Sequence, residues 1–175
     1  MYPFLKLATT LLKAKYSQKI NLGEKSVLHF RAGFTDIDLF RELNNARYFN
    51  FMELGRWDYT CRAGFSDLMK KNNWGAAVGG SSIRYRRRIA LFQKFELTTQ
   101  LIGHDGRWFY FLQETHGKGQ ICSSALMKVC ITSKHGLVPA TEIIQNFHGY
   151  EMYDGVPDWV SSWINAESER PWSSN

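Results

Sequence analysis

Three carboxylates and two asparagines are packed into ten residues of the first third of the chain: Asp36, Asp38, Glu42, Asn44 and Asn45. Asn44 is a strong helix N-cap candidate. After it, Tyr48, Phe51, Met52, Gly55 and Tyr59 recur at spacings of three and four, the period of a helix with one packed face. A carboxylate just ahead of a helix start lies beside backbone N–H groups that have no intrahelical acceptor and that carry the positive end of the helix dipole. The combination offers a base or nucleophile next to donors able to hold a developing negative charge.

The same residues also have plain structural uses. Asp36 and Asp38 suit turns, and Asn44 and Asn45 are first of all caps. Glu42 follows Asp38 by four residues; if both face one cleft, their repulsion raises one pKa and makes a better base, and otherwise Glu42 is a solvated loop residue. Glu53 and Arg56 are three apart on one helical face, the spacing of an ordinary ion pair.

The rest of the chain must position this segment. At 175 residues it has the length of one domain with a real core, and its hydrophobic (44%) and charged (22%) fractions fit a globular protein. Phe, Tyr and Trp make up 15%, which suits a packed sheet or an apolar ligand site. The net charge of +6 favours an anionic partner, but the basic residues form no single block and no nucleic-acid-binding motif is present, so nucleic acid is not expected. Cys61, Cys122 and Cys130 are odd in number and widely spaced. That argues against a disulfide framework or structural zinc and for a reducing, cytoplasmic setting. The five histidines are scattered, so no metal is expected.

Residues 1–25 form an extension that includes a short basic amphipathic helix, either packed on the domain or making peripheral membrane contact through residues 1–19. The main domain spans 26–148, and 149–175 form a C-terminal extension with a polar end expected to be mobile.

Within the main domain the pattern predicts a strand over Ser26 to Phe34, a connection over 36–43, a helix from the Asn44 cap to Ala63-Gly64, and a short helix or loop over 66–73. Strands follow. Gly75 to Arg88 ends in alternation, with Arg84, Arg86 and Arg88 on one face. Phe92 to Ile102, Trp108 to Thr115 and Gln120 to Thr132 complete the set, joined by turns at Asp105-Gly106 and Gly117-Lys118-Gly119. The order of one strand, one long helix and an antiparallel meander predicts an α+β fold whose sheet wraps around the helix.

With the motif in that setting, Asp36-x-Asp38-x-x-x-x-x-Asn44-Asn45-x-x-Tyr48-x-x-x-x-Glu53-x-x-Arg56 resembles the acyl-CoA thioesterases of the hotdog fold, in the branch of 4-hydroxybenzoyl-CoA thioesterase and the bacterial long-chain acyl-CoA thioesterases. Ile83-Arg-Tyr85, Phe95-Glu96-Leu97, Gly103 through Tyr110 and Ala125 to Lys128 follow in the family's order, so the resemblance covers roughly residues 26–135. It implies a single hotdog domain and hydrolysis of a fatty or aromatic acyl thioester to acid and thiol. Asp38 is then the nucleophile or general base, and the helix N-terminus at Asn45 is the oxyanion site; Glu42 remains a catalytic candidate from its spacing to Asp38 alone. Asn44, Tyr48, Arg84, Arg86 and Arg88 become substrate-binding candidates, the arginines for coenzyme A phosphates. Coenzyme A enters as part of the substrate and no separate cofactor is implied; acyl-carrier protein is the other carrier. The resemblance also implies a homodimer or homotetramer with the cleft between subunits. One departure stands out: where the family commonly has Gly-His, this chain has Arg41-Glu42. That substitution favours the alternative of a non-catalytic acyl-thioester binder; an enoyl-thioester hydratase is a further one.

Overall fold

The computed structural model of the chain describes residues 4–148 and 155–171. In chain order they form α1 (Phe4–Tyr16), β1 (Ser26–Arg31), a one-turn 3-10 helix (Phe34–Asp36), α2 (Asn45–Arg62), α3 (Phe65–Asn72) and β2 (Gly75–Tyr85). Then come β3 (Lys94–His104), β4 (Phe109–Gly117), β5 (Gln120–Ser133), β6 (Gly136–Val138), α4 (Ala140–Ile144) and α5 (Asp158–Glu169). The strands pair antiparallel in the order β1-β3-β4-β5-β2, with β6 added to β5. This is the hotdog arrangement, with the curled sheet as the bun around α2.

The strand alternation is clean where one face meets α2. Along β3, Phe95, Leu97, Thr99 and Leu101 are buried, while Lys94 and Glu96 are exposed. The contact with α2 is closest at Gly55. A Cβ built there would lie 2.5 Å from Thr99 Oγ1, 2.8 Å from Leu97 Cδ2 and 3.0 Å from Gln113 Nε2. Glycine therefore sits mid-helix, at a cost in propensity, because the sheet leaves no room for a side chain.

Gln113 is fully buried, and its amide ties the layers together. Nε2 donates to the Met52 carbonyl and to Thr99 Oγ1, each at 2.8 Å, while Oε1 accepts from Arg56 at 2.8 Å. These bonds leave the buried amide well satisfied.

The two extensions cover opposite sides. α1 packs against α2, burying Thr10 and Ala14 and leaving Phe4, Leu5, Leu12 and Tyr16 exposed. α5 packs on the outer face of the sheet, where Val160 is buried with Tyr110 and Leu126 and is flanked by Trp108 and Trp163. The segment before α5 is pinned by His104 N donating to the Gly155 carbonyl at 3.0 Å. Gly103, at φ 146°, has no side chain to obstruct that approach. The polar end expected to be mobile lies, beyond Pro171, outside the described residues.

The expected end of the arginine strand needs correction. The strand predicted to run to Arg88 stops at Tyr85. Arg86 N and Arg87 N both donate to the one carbonyl of Cys122, at 2.7 and 3.1 Å, and two successive N–H groups on one acceptor bend the chain out of the ladder. Arg84 therefore lies on a strand, whereas Arg86 and Arg88 belong to the following connection. Residues 66–73, open between helix and loop, form α3, bounded by left-handed Gly64 (φ 90°) and Asn73 (φ 55°).

The close approach at Gly55 predicts that Gly55→Val lowers stability by about 2–3 kcal/mol, since overpacking outweighs any gain in helix propensity. Urea denaturation should show a lower midpoint.

Candidate active site

The loop from Gly33 to Asn44 is built on hydrogen bonds of its own carboxylates. Asp36 is buried and its Oδ2 accepts from Gly33 N at 3.0 Å, closing the one-turn 3-10 helix. The same carboxylate receives Lys6 Nζ of α1 at 2.9 and 3.2 Å. Lys6 in turn lies 4.5 Å over the Phe51 ring of α2. Asp36 is thus a turn former, as its position suggested, and also the anchor of the N-terminal helix.

Asp38 is half-buried two residues on. Its Oδ1 accepts from Phe40 N at 2.8 Å and Glu42 N at 3.4 Å, while its backbone N–H donates to the Glu42 carbonyl at 2.9 Å. This is an Asx-type turn that fixes the carboxylate through one oxygen. Oδ2 accepts no hydrogen bond among the described residues. The turn requires Arg41 at φ 60°, in the left-handed region. That conformation costs a non-glycine residue about 1–2 kcal/mol. The departure noted in the sequence thus has a physical side: a backbone that suits glycine is occupied here by arginine.

The loop runs straight into α2. Asn44 N donates to the Asp36 carbonyl at 3.0 Å, and Asn44 Oδ1 caps Ala46 N at 2.9 Å. Asn44 is therefore the N-cap that its sequence predicted. Asn45 is exposed at the first helical position, and its backbone N–H has no acceptor among the described residues. An anionic oxygen would find there a free donor and the positive end of an 18-residue helix.

The remaining candidates separate. Tyr48 is buried, with its ring 5.1 Å from Tyr85. Burial pushes its hydroxyl pKa up, and the neighbouring Cys122, Tyr85 and Glu42 add to the shift, so it stays neutral in the working pH range. Glu42 is half-buried, and its electrostatic neighbour is Tyr48. Arg84, Arg86 and Arg88 are exposed. The connection that carries Arg86 and Arg88 is stitched to the carboxylate loop by Leu43 N to the Ile89 carbonyl (2.8 Å) and Leu91 N to the Arg41 carbonyl (3.0 Å).

An apolar cavity of about 120 Å³ lies farther along α2. Phe65, Met69, Phe109, Phe111, Val129 and Ile131 form its walls, β2 contributes Ala76, Ala77 and Val78, and α2 contributes Glu53, Arg56, Trp57 and Thr60. Asp38 is not among the lining residues. Eight residues of helix, about 12 Å of rise, separate Asn45 from Glu53. Within one chain, then, the carboxylate turn and the apolar cavity stand at different places along the helix. Glu53, read from sequence as half of an ion pair, is on the cavity wall. Its spacing to Arg56 gave no hint of that, because the cavity depends on where α3 and β2 fold.

A family model described as "Thioesterase-like superfamily" matches residues 32–164. The chain belongs to that superfamily. Among its relatives, Protein THEM6 of Drosophila melanogaster is 25% identical over 167 residues, 93% of this chain and 84% of that one. The protein of the same name from Danio rerio is 33% identical, but the match spans 59% of this chain and only about half (51%) of that one. Long-chain acyl-CoA thioesterase FadM of Escherichia coli is 32% identical over 56% of this chain and 76% of its own. The crystal structure of YbaW, a probable thioesterase from Escherichia coli, superposes with a TM-score of 0.64 at 23% identity, covering 69% of this chain and 97% of that one. At that identity the superposition speaks for the fold.

In this thioesterase-like chain the carboxylate loop depends on α1 through Lys6. Replacing Lys6 by Ala leaves the buried Asp36 carboxylate short of a donor and should cost about 1–3 kcal/mol. Hydrogen exchange should rise at the amides of residues 38–43 more than in β3 and β4.

Proposed function

We propose that the protein hydrolyses an acyl-CoA thioester to the free acid and thiol, with Asp38 as nucleophile or general base. The observation that carries this reading is the Asp38 turn, which holds one carboxylate oxygen and leaves the other open, in the loop that leads directly into the α2 N-terminus, where the Asn45 N–H has no acceptor among the described residues. Membership of the superfamily and the 32% identity to a long-chain acyl-CoA thioesterase support it. In the nucleophilic route Asp38 attacks the thioester carbonyl, the coenzyme thiolate leaves and takes a proton, and water hydrolyses the mixed anhydride. In the base route Asp38 takes a proton from water, which attacks the same carbon. In either route the carbonyl oxygen becomes anionic and the first turn of α2 stabilises it. The apolar cavity suits the acyl group, and Arg84, Arg86 and Arg88 suit coenzyme A phosphates or the acidic surface of acyl-carrier protein.

A complete cleft calls for a second copy. β2 ends the strand order as an edge, and Ala76, Ala77 and Val78 are exposed on it. Pairing two such edges removes an unpaired ladder and sets the cavity of one chain near the neighbour's elements. A cytoplasmic homodimer or a dimer of dimers fits this reading. α1 adds a peripheral membrane contact: Phe4, Leu5, Leu12 and Tyr16 are exposed beside Lys13 and Lys15. No helix among the described residues is long and apolar enough to cross a membrane. Co-sedimentation with anionic vesicles should therefore weaken in a Leu5→Gln/Leu12→Gln variant, and equal binding would remove α1 from the interface.

A second reading rests on the cavity wall, where Glu53 rather than Asp38 is the carboxylate. A panel of acyl-CoA substrates assayed by thiol release decides between them. Asp38→Asn should lose about 10²–10⁴-fold in turnover with folding intact, and Asn45→Ala should lose less than tenfold because its backbone N–H remains. Full activity in Asp38→Asn together with loss in Glu53→Gln would move the chemistry to the cavity. Tight binding of acyl-CoA without thiol release would select the non-catalytic binder.

A further inference from the structure

A second group of charges stands on the sheet face turned away from α2. Where β1 pairs with β3, Arg31 is directly opposite Lys94 and His29 is opposite Glu96. Where β3 pairs with β4, Glu96 is opposite His116. Lys118, in the β4–β5 turn just past the end of that ladder, lines the same cleft as Lys94. Arg31 and Lys94 are thus two cations on directly paired strands, about 4.8 Å apart at the backbone, and Lys118 adds a third from the neighbouring turn. Beside them runs a row of His29, Glu96 and His116.

All six residues line one open cleft of about 580 Å³. Like charges directly opposite each other on a sheet are destabilising, and ordinary surfaces relieve them with acids. Here Glu96 is the carboxylate among the lining residues, and its Oε1 is already 3.3 Å from His29 Nε2. Among the described residues, no carboxylate comes within ion-pair distance of Arg31, Lys94 or Lys118. Lys118 also holds a left-handed backbone (φ 53°) between two glycines of the turn.

We propose that this cleft binds a phosphomonoester dianion carried on a small organic molecule. The guanidinium of Arg31 suits two phosphate oxygens in a fork, and the ammonium groups of Lys94 and Lys118 act as point charges on the remaining one. His29 and His116 border the space left for the organic part. The cleft is on the opposite side of the sheet from the apolar cavity and does not depend on the hydrolytic reading. Free nucleoside monophosphates carry the recognised group, and so does coenzyme A, through its 3′-phosphate.

Calorimetric titration of the full-length protein with 3′-AMP, coenzyme A and dephospho-coenzyme A, at low and high salt, tests the proposal. Binding of 3′-AMP is expected, weakened by salt and reduced at least tenfold in Arg31→Gln/Lys94→Gln and in Lys118→Gln. Preference for coenzyme A over dephospho-coenzyme A, lost in the same variants, would support the site with coenzyme A as the carrier. Binding of 3′-AMP with no such preference would support it with a free nucleotide as the carrier. The double variant should also raise the thermal midpoint of the ligand-free protein at low salt, because it removes an opposed like-charge pair. The proposal is overturned if the wild-type protein binds none of these ligands, if the variants bind as tightly as the wild type, or if Arg84→Gln/Arg86→Gln abolishes binding in their place. Thiol release plays no part in these readings, so loss of the hydrolytic reading would leave them standing.

Discussion

The buried amide of Gln113 is the constraint on which the rest of the molecule depends. It reaches α2 at the Met52 carbonyl and Arg56, and β3 at Thr99, so one side chain sets the height of the helix above the sheet. Gly55 makes that height attainable by presenting no side chain to Thr99 and Leu97. Apolar packing alone would let an 18-residue helix slide or roll along a curled sheet at little cost. Directional bonds inside a dry interface remove that freedom, because each broken bond would leave a buried polar group unpaired. The position of the α2 N-terminus relative to the Asp38 turn follows from this fixed seat.

From that seat outward, order is passed along by charge and backbone. The Asp36 carbonyl receives the first residue of the helix cap, and its carboxylate receives Lys6. A residue on the N-terminal helix therefore acts on the same loop as the cap of the central helix. The left-handed Arg41 closes the turn between them at a local energetic cost. Such cost is tolerated where neighbouring hydrogen bonds over-determine the backbone, and here Arg41 lies between the bonded Asp38 turn and the Leu91 contact.

Much of this was legible in the sequence, for local reasons. The Asn44 cap, the helix period and the Asp105-Gly106 turn are short-range chemistry, and each lies where the residues indicated. Asp105 supports that turn by accepting from Arg107 N and Trp108 N. What escaped depends on distant pairings. The strand carrying Arg84 ends early because Cys122, thirty-seven residues after Tyr85, offers one carbonyl to two N–H groups. The partner of Lys6 lies thirty residues away. Glu53 becomes a cavity residue only once α3 and β2 close over the helix. Alternation and capping report what a residue prefers locally; they carry no information about which remote segment will arrive beside it.

The C-terminal helix has a bearing on assembly. α5 occupies the back of the sheet over Tyr110 and Leu126, and Trp163 lies close over Gly80 of β2. That apolar ground is what a second sheet would need in order to stack back to back. The chain spends it internally, so that mode of association would first require α5 to be stripped from its own sheet. On the outer ground that remains, Arg31, Lys94 and Lys118 would meet the same three cations of a second copy laid face to face. Stacking sheet on sheet would therefore have to strip α5 from the one half and oppose like charges over the other, whereas the β2 edge, with Ala76, Ala77 and Val78 exposed, carries neither obstacle.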